Sequence, residues 1–141
     1  MNAKVLQPSG WAVPRGYANG VAVQGLQVYV AGQIGWNAQA QFDSDDLVEQ
    51  VRQALLNVRA VLAEAGAQPV HITRMTWYLV DKREYLARVR EIGAVFREVI
   101  GHYAIAMTAV QVAALIEDRA RVEIEVTAVV PPPEPPPDLS P

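Results

Sequence analysis

The apolar positions of the chain recur with two periods, one typical of helices and one of strands. A helical stripe with three- and four-residue spacing is formed by Leu47, Val51, Leu55, Val58 and Leu62. The sequence predicts that this first helix is capped by Asp43 or Ser44 and ends at Gly66. A second helix is predicted from Asp81, which forms a capping-box pattern with Glu84, to Gly101.

Strands are predicted where apolar and polar residues alternate. Such segments span residues 72–80, about 105–112 and 121–130. Near the N-terminus, residues 17–23 and 26–31 flank Gly25 and indicate a hairpin. The predicted order is ββαβαββ, which indicates an α+β fold with both helices on one face of the sheet.

The other face of this sheet also carries apolar side chains. Val28 and Val30 lie opposite Tyr29 and Ala31 on the same strand, so both faces are partly apolar. Large exposed apolar patches are rare on monomers. The sequence therefore predicts a homo-oligomer whose sheets pack together.

Two glutamates, Glu123 and Glu125, lie two positions apart in the last strand. Their side chains must leave the same face, with Cα atoms about 6.5 Å apart. A solvated strand face opposite an apolar one is the ordinary interpretation of this pattern. The catalytic interpretation is a carboxylate that acts on water, because the chain has no cysteine and its two histidines, His71 and His102, are far apart in sequence.

Composition limits the binding partners and the cellular location that the sequence predicts. A chain of 141 residues with a net charge of −3 and dispersed basic residues does not carry the electrostatic footprint of a nucleic-acid-binding protein. Signal-peptide and membrane-span patterns are absent from the sequence, which predicts a cytoplasmic protein without a membrane partner. Residues 1–130 are predicted to form a single domain, followed by a Pro-rich disordered tail over residues 131–141.

Residues 14–130 resemble the Rid family, also called YjgF/YER057c/UK114, the reactive-intermediate deaminases. The matching segments are Arg15-Gly16-Tyr17, residues 28–34 (VYVAGQI), residues 57–62 (NVRAVL) with Ala65-Gly66, and residues 122–125 (VEIE). The resemblance implies a chorismate-mutase-like subunit, one mixed sheet and a homotrimer with three intersubunit clefts. Active members hydrolyse small enamines or imines to a keto acid and ammonia, without a metal or cofactor.

The same resemblance assigns roles to individual residues. Glu123 falls on the glutamate that orients or activates water, and Tyr17 on a tyrosine that lines the cleft. Ala31 replaces a serine of the family pattern beside Gly32, where the backbone can approach closely. Trp36, just after this turn, is expected either to cover a substrate or to contact a neighbouring subunit.

Met107 stands where the family has an arginine that grips the substrate carboxylate. Loss of one charge-assisted hydrogen bond of about 1.5–3 kcal/mol corresponds to roughly 10- to 100-fold in affinity. Three explanations remain open: the substrate lacks a carboxylate there, Arg15 or Arg74 replaces the missing cation, or the cleft is not catalytic.

Three functions follow from these patterns. The first is a deaminase for a small enamine or imine that differs from the usual carboxylate-bearing 2-aminoacrylate type. The second is a non-catalytic trimer that binds a small molecule or a protein. Ribonuclease activity, assigned to some relatives, is disfavoured by the acidic net charge and the absence of a histidine pair.

Overall fold

The computed structural model describes residues 3–141. Its elements are β1 (Lys4–Leu6), β2 (Gly20–Ala22), β3 (Leu26–Ile34), α1 (Leu47–Glu64), a 3₁₀ turn (Pro69–His71), β4 (Ile72–Leu79), α2 (Lys82–Ala87), α3 (Val89–Val99), β5 (Ala106–Gln111) and β6 (Val122–Val130). No helix within this range is both long and apolar enough to cross a membrane. Residues 131–141 contain neither helix nor strand, and their separation as a tail stays a prediction.

Four strands form the main sheet in the order β3-β6-β4-β5. Strand β6 runs antiparallel to both β3 and β4, whereas β5 pairs with β4 in parallel, so the sheet is mixed. Helices α1 and α3 pack over one face, and every residue of the predicted α1 stripe is buried. The predicted α+β fold, with a mixed sheet and helices on one face, is confirmed.

The predicted N-terminal hairpin is wrong. Strand β2 pairs with β1, and β3 pairs with β6 so that Leu26 lies opposite Val130. Gly25 permits this course because its φ is +152° and a Cβ there would lie 2.0 Å from the Val130 carbonyl oxygen. The sequence missed β1, whose three residues are all exposed and too few to show a period.

The helix starts differ from the predictions in their details. Asp46, rather than Asp43 or Ser44, caps α1, because its side chain accepts a hydrogen bond from the Glu49 N–H. Asp81 caps α2 as predicted, with its side chain accepting from the backbone N–H of Glu84.

The predicted capping box and the uninterrupted second helix are both wrong. The Glu84 carboxylate accepts a hydrogen bond from the Arg121 side chain at 3.0 Å instead of closing the box. The helix is divided into α2 and α3 at Arg88, whose φ of −112° and ψ of 14° are not helical. The Arg88 guanidinium bridges Asp46 and Glu91, so the break places a cation beside the start of α1.

Asp46 combines a helix cap with an ion pair, and Asp46→Ala removes both. We expect the free energy of unfolding at pH 7 to fall by about 1–2 kcal/mol, mostly through the lost cap. Hydrogen bonding from Arg88 lowers the pKa of Asp46 below 3.8, so the charge-dependent stabilisation is present above that value and lost as pH falls through the folded-state pKa.

Thermal unfolding of Asp46→Ala, Asp46→Asn and Asp43→Ala from pH 2 to 7 tests this assignment. Asparagine retains a cap acceptor, so Asp46→Asn should keep most of the stability at pH 7 and approach the wild type at low pH. An equal loss in Asp43→Ala would contradict the assignment of the cap to Asp46.

Candidate functional site

Glu123 and Glu125 project from the sheet face that the helices leave open. On the neighbouring strand β4, Tyr78 lies opposite Glu123 and Thr76 lies opposite Glu125. Ile124, between the two glutamates, is fully buried on the helix-covered face. The shared face predicted from the two-residue spacing is therefore confirmed.

The Glu123 side chain lies directly over the backbone of Gly32. A Cβ at Gly32 would be 2.5 Å from Glu123 Oε1 and 2.7 Å from Cδ, a distance that only a glycine allows. The β3–β6 register shifts between Val30 and Gln33, which places Ala31 and Gly32 in an irregular stretch opposite β6. Glu123 is half-buried there, and its carboxylate has no hydrogen-bond or ion-pair partner among residues 3–141.

Glu125 has a different environment. Its Oε1 accepts a hydrogen bond from the Tyr78 hydroxyl at 2.7 Å. This hydrogen bond, together with desolvation, raises the pKa of Tyr78 because the neutral hydroxyl is the form that donates to the carboxylate. Of the two glutamates, Glu125 is engaged within the protomer and Glu123 is available to a ligand or to water.

A buried amide fixes the start of the strand that carries both glutamates. Gln50, 1% exposed, donates from Nε2 to the Ser44 and Arg119 carbonyls, and its Oε1 accepts from the Arg121 N–H at 2.8 Å. Gly35 leaves room for this side chain, because a Cβ at Gly35 would lie 2.5 Å from Gln50 Cβ. The network holds the backbone two residues before Glu123.

Tyr17 and Met107 lie together in a pocket of about 530 Å³ on the helix side of the sheet. The Ala18 N–H donates to the Ile105 carbonyl at 2.8 Å, which fastens the segment containing Tyr17 to the chain just before β5. Met107 lies opposite Met75, a fully buried core residue, and thus faces the helices.

The two residues considered as replacements for the missing arginine, Arg15 and Arg74, line different cavities. Arg15 lines the pocket with Tyr17 and Met107. Arg74 lies on the open face, in a groove of about 480 Å³ with Tyr29, Thr76, Glu125 and neighbouring residues of β3 and β6. Of these two arginines, Arg15 is the one that shares a cavity with Met107.

The predicted site residues therefore form two groups on opposite faces of the sheet. Glu123, Ala31 and Gly32 belong to the open face, whereas Tyr17 and Met107 belong to the helix-side pocket. Glu123 is not among the residues that line either cavity. One protomer does not bring the carboxylate and the pocket together.

Trp36 lies in neither group. Its ring packs against Phe42 with a centroid distance of 6.0 Å, and its carbonyl accepts a hydrogen bond from Asn57 Nδ2 at 2.8 Å. Neither the open-face groove nor the helix-side pocket includes it in its lining. Within the protomer, its contacts are structural.

Sequence reasoning missed much of the pocket wall, namely Trp77, Tyr85, Phe96, Arg97 and Tyr103. Trp77 lies on the buried face of β4, and its place beside α3 depends on tertiary packing. Gly101 was one usable signal: a Cβ there would lie 2.9 Å from the Tyr103 ring, so the glycine lets this ring approach the backbone. Across residues 3–141, no three His, Asp or Glu side chains are grouped to hold a metal ion.

Comparison with known proteins places the chain in a family. Residues 11–130 match the model described as Endoribonuclease L-PSP. A RutC family protein of Aquifex aeolicus is 31% identical over 83% of this chain and 91% of its own length. The 2-iminobutanoate/2-iminopropanoate deaminase of Capra hircus is 33% identical over 72% of each chain.

A solved structure gives the same result. The Rid family protein YyfB from Yersinia pestis, described as of unknown function, superimposes with a TM-score of 0.81 at 31% identity, over 92% of this chain and 100% of its own. Some relatives are thus named as imine deaminases and others have no assigned activity. The chain belongs to the Endoribonuclease L-PSP family, the group also known as the YjgF/UK114 or Rid proteins.

Proposed function

We propose that this protein is a hydrolytic deaminase of a small enamine or imine and that its site forms between protomers of a homotrimer. Glu123 orients or activates the attacking water. The observation that carries the proposal is the Glu123 carboxylate, held against the Gly32 backbone and unengaged within the protomer. A positioned carboxylate of this kind can accept a proton from water as a new bond forms at an electrophilic carbon.

The division of the site between two faces supports assembly. Open-face residues surround Glu123, and Tyr29 on this face is 70% exposed. A neighbouring protomer that covers this face can bring its own helix-side pocket, with Tyr17 and Met107, towards Glu123. Each cleft then combines a carboxylate from one chain with a pocket from the next.

The proposed reaction consumes one water and needs no redox partner. The water oxygen bonds to the imine carbon while Glu123 takes a proton, and the C–N bond then breaks. Nitrogen leaves as ammonia after proton return, and the carbon becomes a carbonyl. The name of the Capra hircus relative, a deaminase of two imino acids, supports this reaction class.

Arg15 is the proposed carboxylate partner in place of the family's arginine. It lines the same pocket as Met107, whereas Arg74 is on the other face. Because Arg15 approaches from the N-terminal segment rather than from β5, the bound substrate is expected to differ from the usual 2-aminoacrylate type. Met107 itself offers an apolar surface.

Acceleration of imine hydrolysis tests the activity. An amino-acid oxidase generates imines from a panel of amino acids, and ammonia release is followed with and without the protein. We expect faster release for at least one imine, and no acceleration across the panel would refute the deaminase.

A mixed assembly tests the shared cleft. Glu123→Ala and Met107→Glu should each be inactive, because one lacks the carboxylate and the other repels an anionic substrate. In co-expressed trimers, about one quarter of the clefts would combine Glu123 from a Met107→Glu chain with the intact pocket of a Glu123→Ala chain. Activity should therefore return to about one quarter of the wild-type value. No recovery would mean that the site does not draw on two protomers.

Met107 also supports a second candidate, a non-catalytic member whose clefts bind a small molecule. The methionine at this position removes the carboxylate contact that the family resemblance assigns to an arginine. Binding of keto acids without any acceleration of imine hydrolysis would select this function. RNA cleavage lacks comparable support, because His71 and His102 line different cavities and do not form a pair.

A further inference from the structure

The helix-side pocket is larger and more aromatic than a three-carbon substrate requires. Its volume of about 530 Å³ lies within the range of about 300–1,000 Å³ that is typical of small-molecule sites. The Trp77 ring forms an edge-type pair with Tyr85 at 6.4 Å and a tilted pair with Phe96 at 6.2 Å, and all three residues belong to the pocket lining. A small imine would leave the accessible parts of Tyr85 and Phe96 in contact with water.

Met107 extends the apolar wall. Its side chain is partly buried and packs against the hydrophobic core, opposite Met75. A thioether adapts its shape to a ring and makes favourable contacts with aromatic edges. Ala109, which follows on the same face of β5 and lies opposite Trp77, adds little volume and leaves the space open.

Trp77 belongs to the pocket lining but contributes little accessible surface to it. The residue is 2% exposed, and its Nε1 is buried without a hydrogen-bond partner in the described part of the chain. A ligand in the pocket therefore contacts the partly exposed Tyr85 and Phe96, which pack against Trp77.

Arginines occur in the pocket lining, but acidic residues do not. Arg15 and Arg97 belong to the lining, which contains no Asp or Glu. The Arg97 guanidinium lies close to Gly93, with Nη1 3.3 Å from the position a Cβ would take, so this helical glycine lets the arginine fold back along α3. The arrangement favours an anion together with an aromatic group.

We propose that this pocket takes the side chain of the reacting imine, and that this side chain is an aromatic ring. The inference rests on the proposed function and specifies its substrate class: 2-imino acids with an aryl side chain. The ring packs against Tyr85, Phe96 and Met107, and the carboxylate pairs with Arg15. Hydrolysis then converts the imine and one water into an aromatic 2-keto acid and ammonia.

Binding of the stable keto acids tests this subsite without requiring turnover, because a carbonyl replaces the imine nitrogen in the probe. Calorimetric titration of the full-length protein compares 4-hydroxyphenylpyruvate, phenylpyruvate and pyruvate. We expect both aromatic probes to bind at least 10-fold more tightly than pyruvate. Equal affinities for pyruvate and the aromatic probes would overturn the proposal.

Two variants assign the effect to the pocket. Ala109→Leu narrows the pocket and should weaken aromatic binding at least 10-fold with little change for pyruvate, whereas Ala94→Leu, an exposed α3 position outside the lining, is the matched control. Met107→Arg should shift the preference towards pyruvate.

The outcomes separate this inference from the proposed function. Aromatic binding that is sensitive to Ala109→Leu, without accelerated imine hydrolysis, would refute the deaminase but retain the aromatic subsite. Accelerated hydrolysis of small imines only, with no aromatic preference in binding, would retain the deaminase and refute the subsite. Unchanged aromatic binding in Ala109→Leu would also refute it.

Discussion

Glu123→Gln is expected to lower the rate of imine hydrolysis by about 10²- to 10⁴-fold, the usual contribution of a general acid–base group. Glutamine has nearly the same size as glutamate, so it can occupy the space over Gly32, but it cannot take a proton from water at neutral pH. Because only the chemical step is affected, keto acids should bind to the variant with nearly wild-type affinity. Ammonia release and calorimetric titration measure the two quantities separately.

Glu125→Gln is the matched control on the same strand and face. The glutamine side-chain oxygen can still accept the hydrogen bond from Tyr78, so the fold should be unchanged. The rate of imine hydrolysis should change by less than about threefold. If Glu125→Gln lost as much activity as Glu123→Gln, the assignment of the water-activating role to Glu123 alone would be wrong.

Gly32→Ala is expected to remove most of the activity while leaving the protein folded. The added methyl group would lie 2.5 Å from Glu123 Oε1, so the carboxylate must move. The obstructing atoms run from Oε1 back to Cγ, at 2.8 Å, so the whole Glu123 side chain must rotate away, at a cost of about 0.5–1.5 kcal/mol in unfolding free energy. A carboxylate displaced by about 1 Å can lower the rate by about 100-fold.

Gly20→Ala provides the comparison for Gly32→Ala. Its added methyl group meets only the Leu6 side chain, at 3.1 Å, in the small β1–β2 sheet away from Glu123. Both variants should unfold within a few degrees of the wild type, but only Gly32→Ala should lose activity. Retained activity in Gly32→Ala would show that the close approach of Glu123 to this backbone is dispensable.

The sequence predicted which segments form the helices and strands around the main sheet more reliably than which strands pair with each other. The α1 stripe and the alternation around Ile124 depend on burial against a single layer, and both are present as predicted. Strand partners depend on contacts far apart in the chain, so the pairing of β3 with β6 was missed. The chain does bend at Gly25, but this glycine allows its backbone to lie close to the Val130 carbonyl instead of forming a hairpin turn.

The candidate site was predictable only in part for a similar reason. The two-residue spacing singled out Glu123 and Glu125, and the family resemblance distinguished the first from the second. That Tyr78 engages Glu125 depends on the register of β4 against β6, which no local pattern specifies. The aromatic wall around Trp77 depends on how α3 lies against the sheet, and it was not anticipated.

The sheet separates Glu123 from the pocket that contains Met107, so each can change with little direct effect on the other. Substitutions beneath the helices can therefore reshape the pocket without disturbing the carboxylate on the far side. This separation gives the scaffold two surfaces that can mutate independently. For the proposed deaminase, it is a physical route by which a lineage can diversify its selectivity and retain one reaction chemistry.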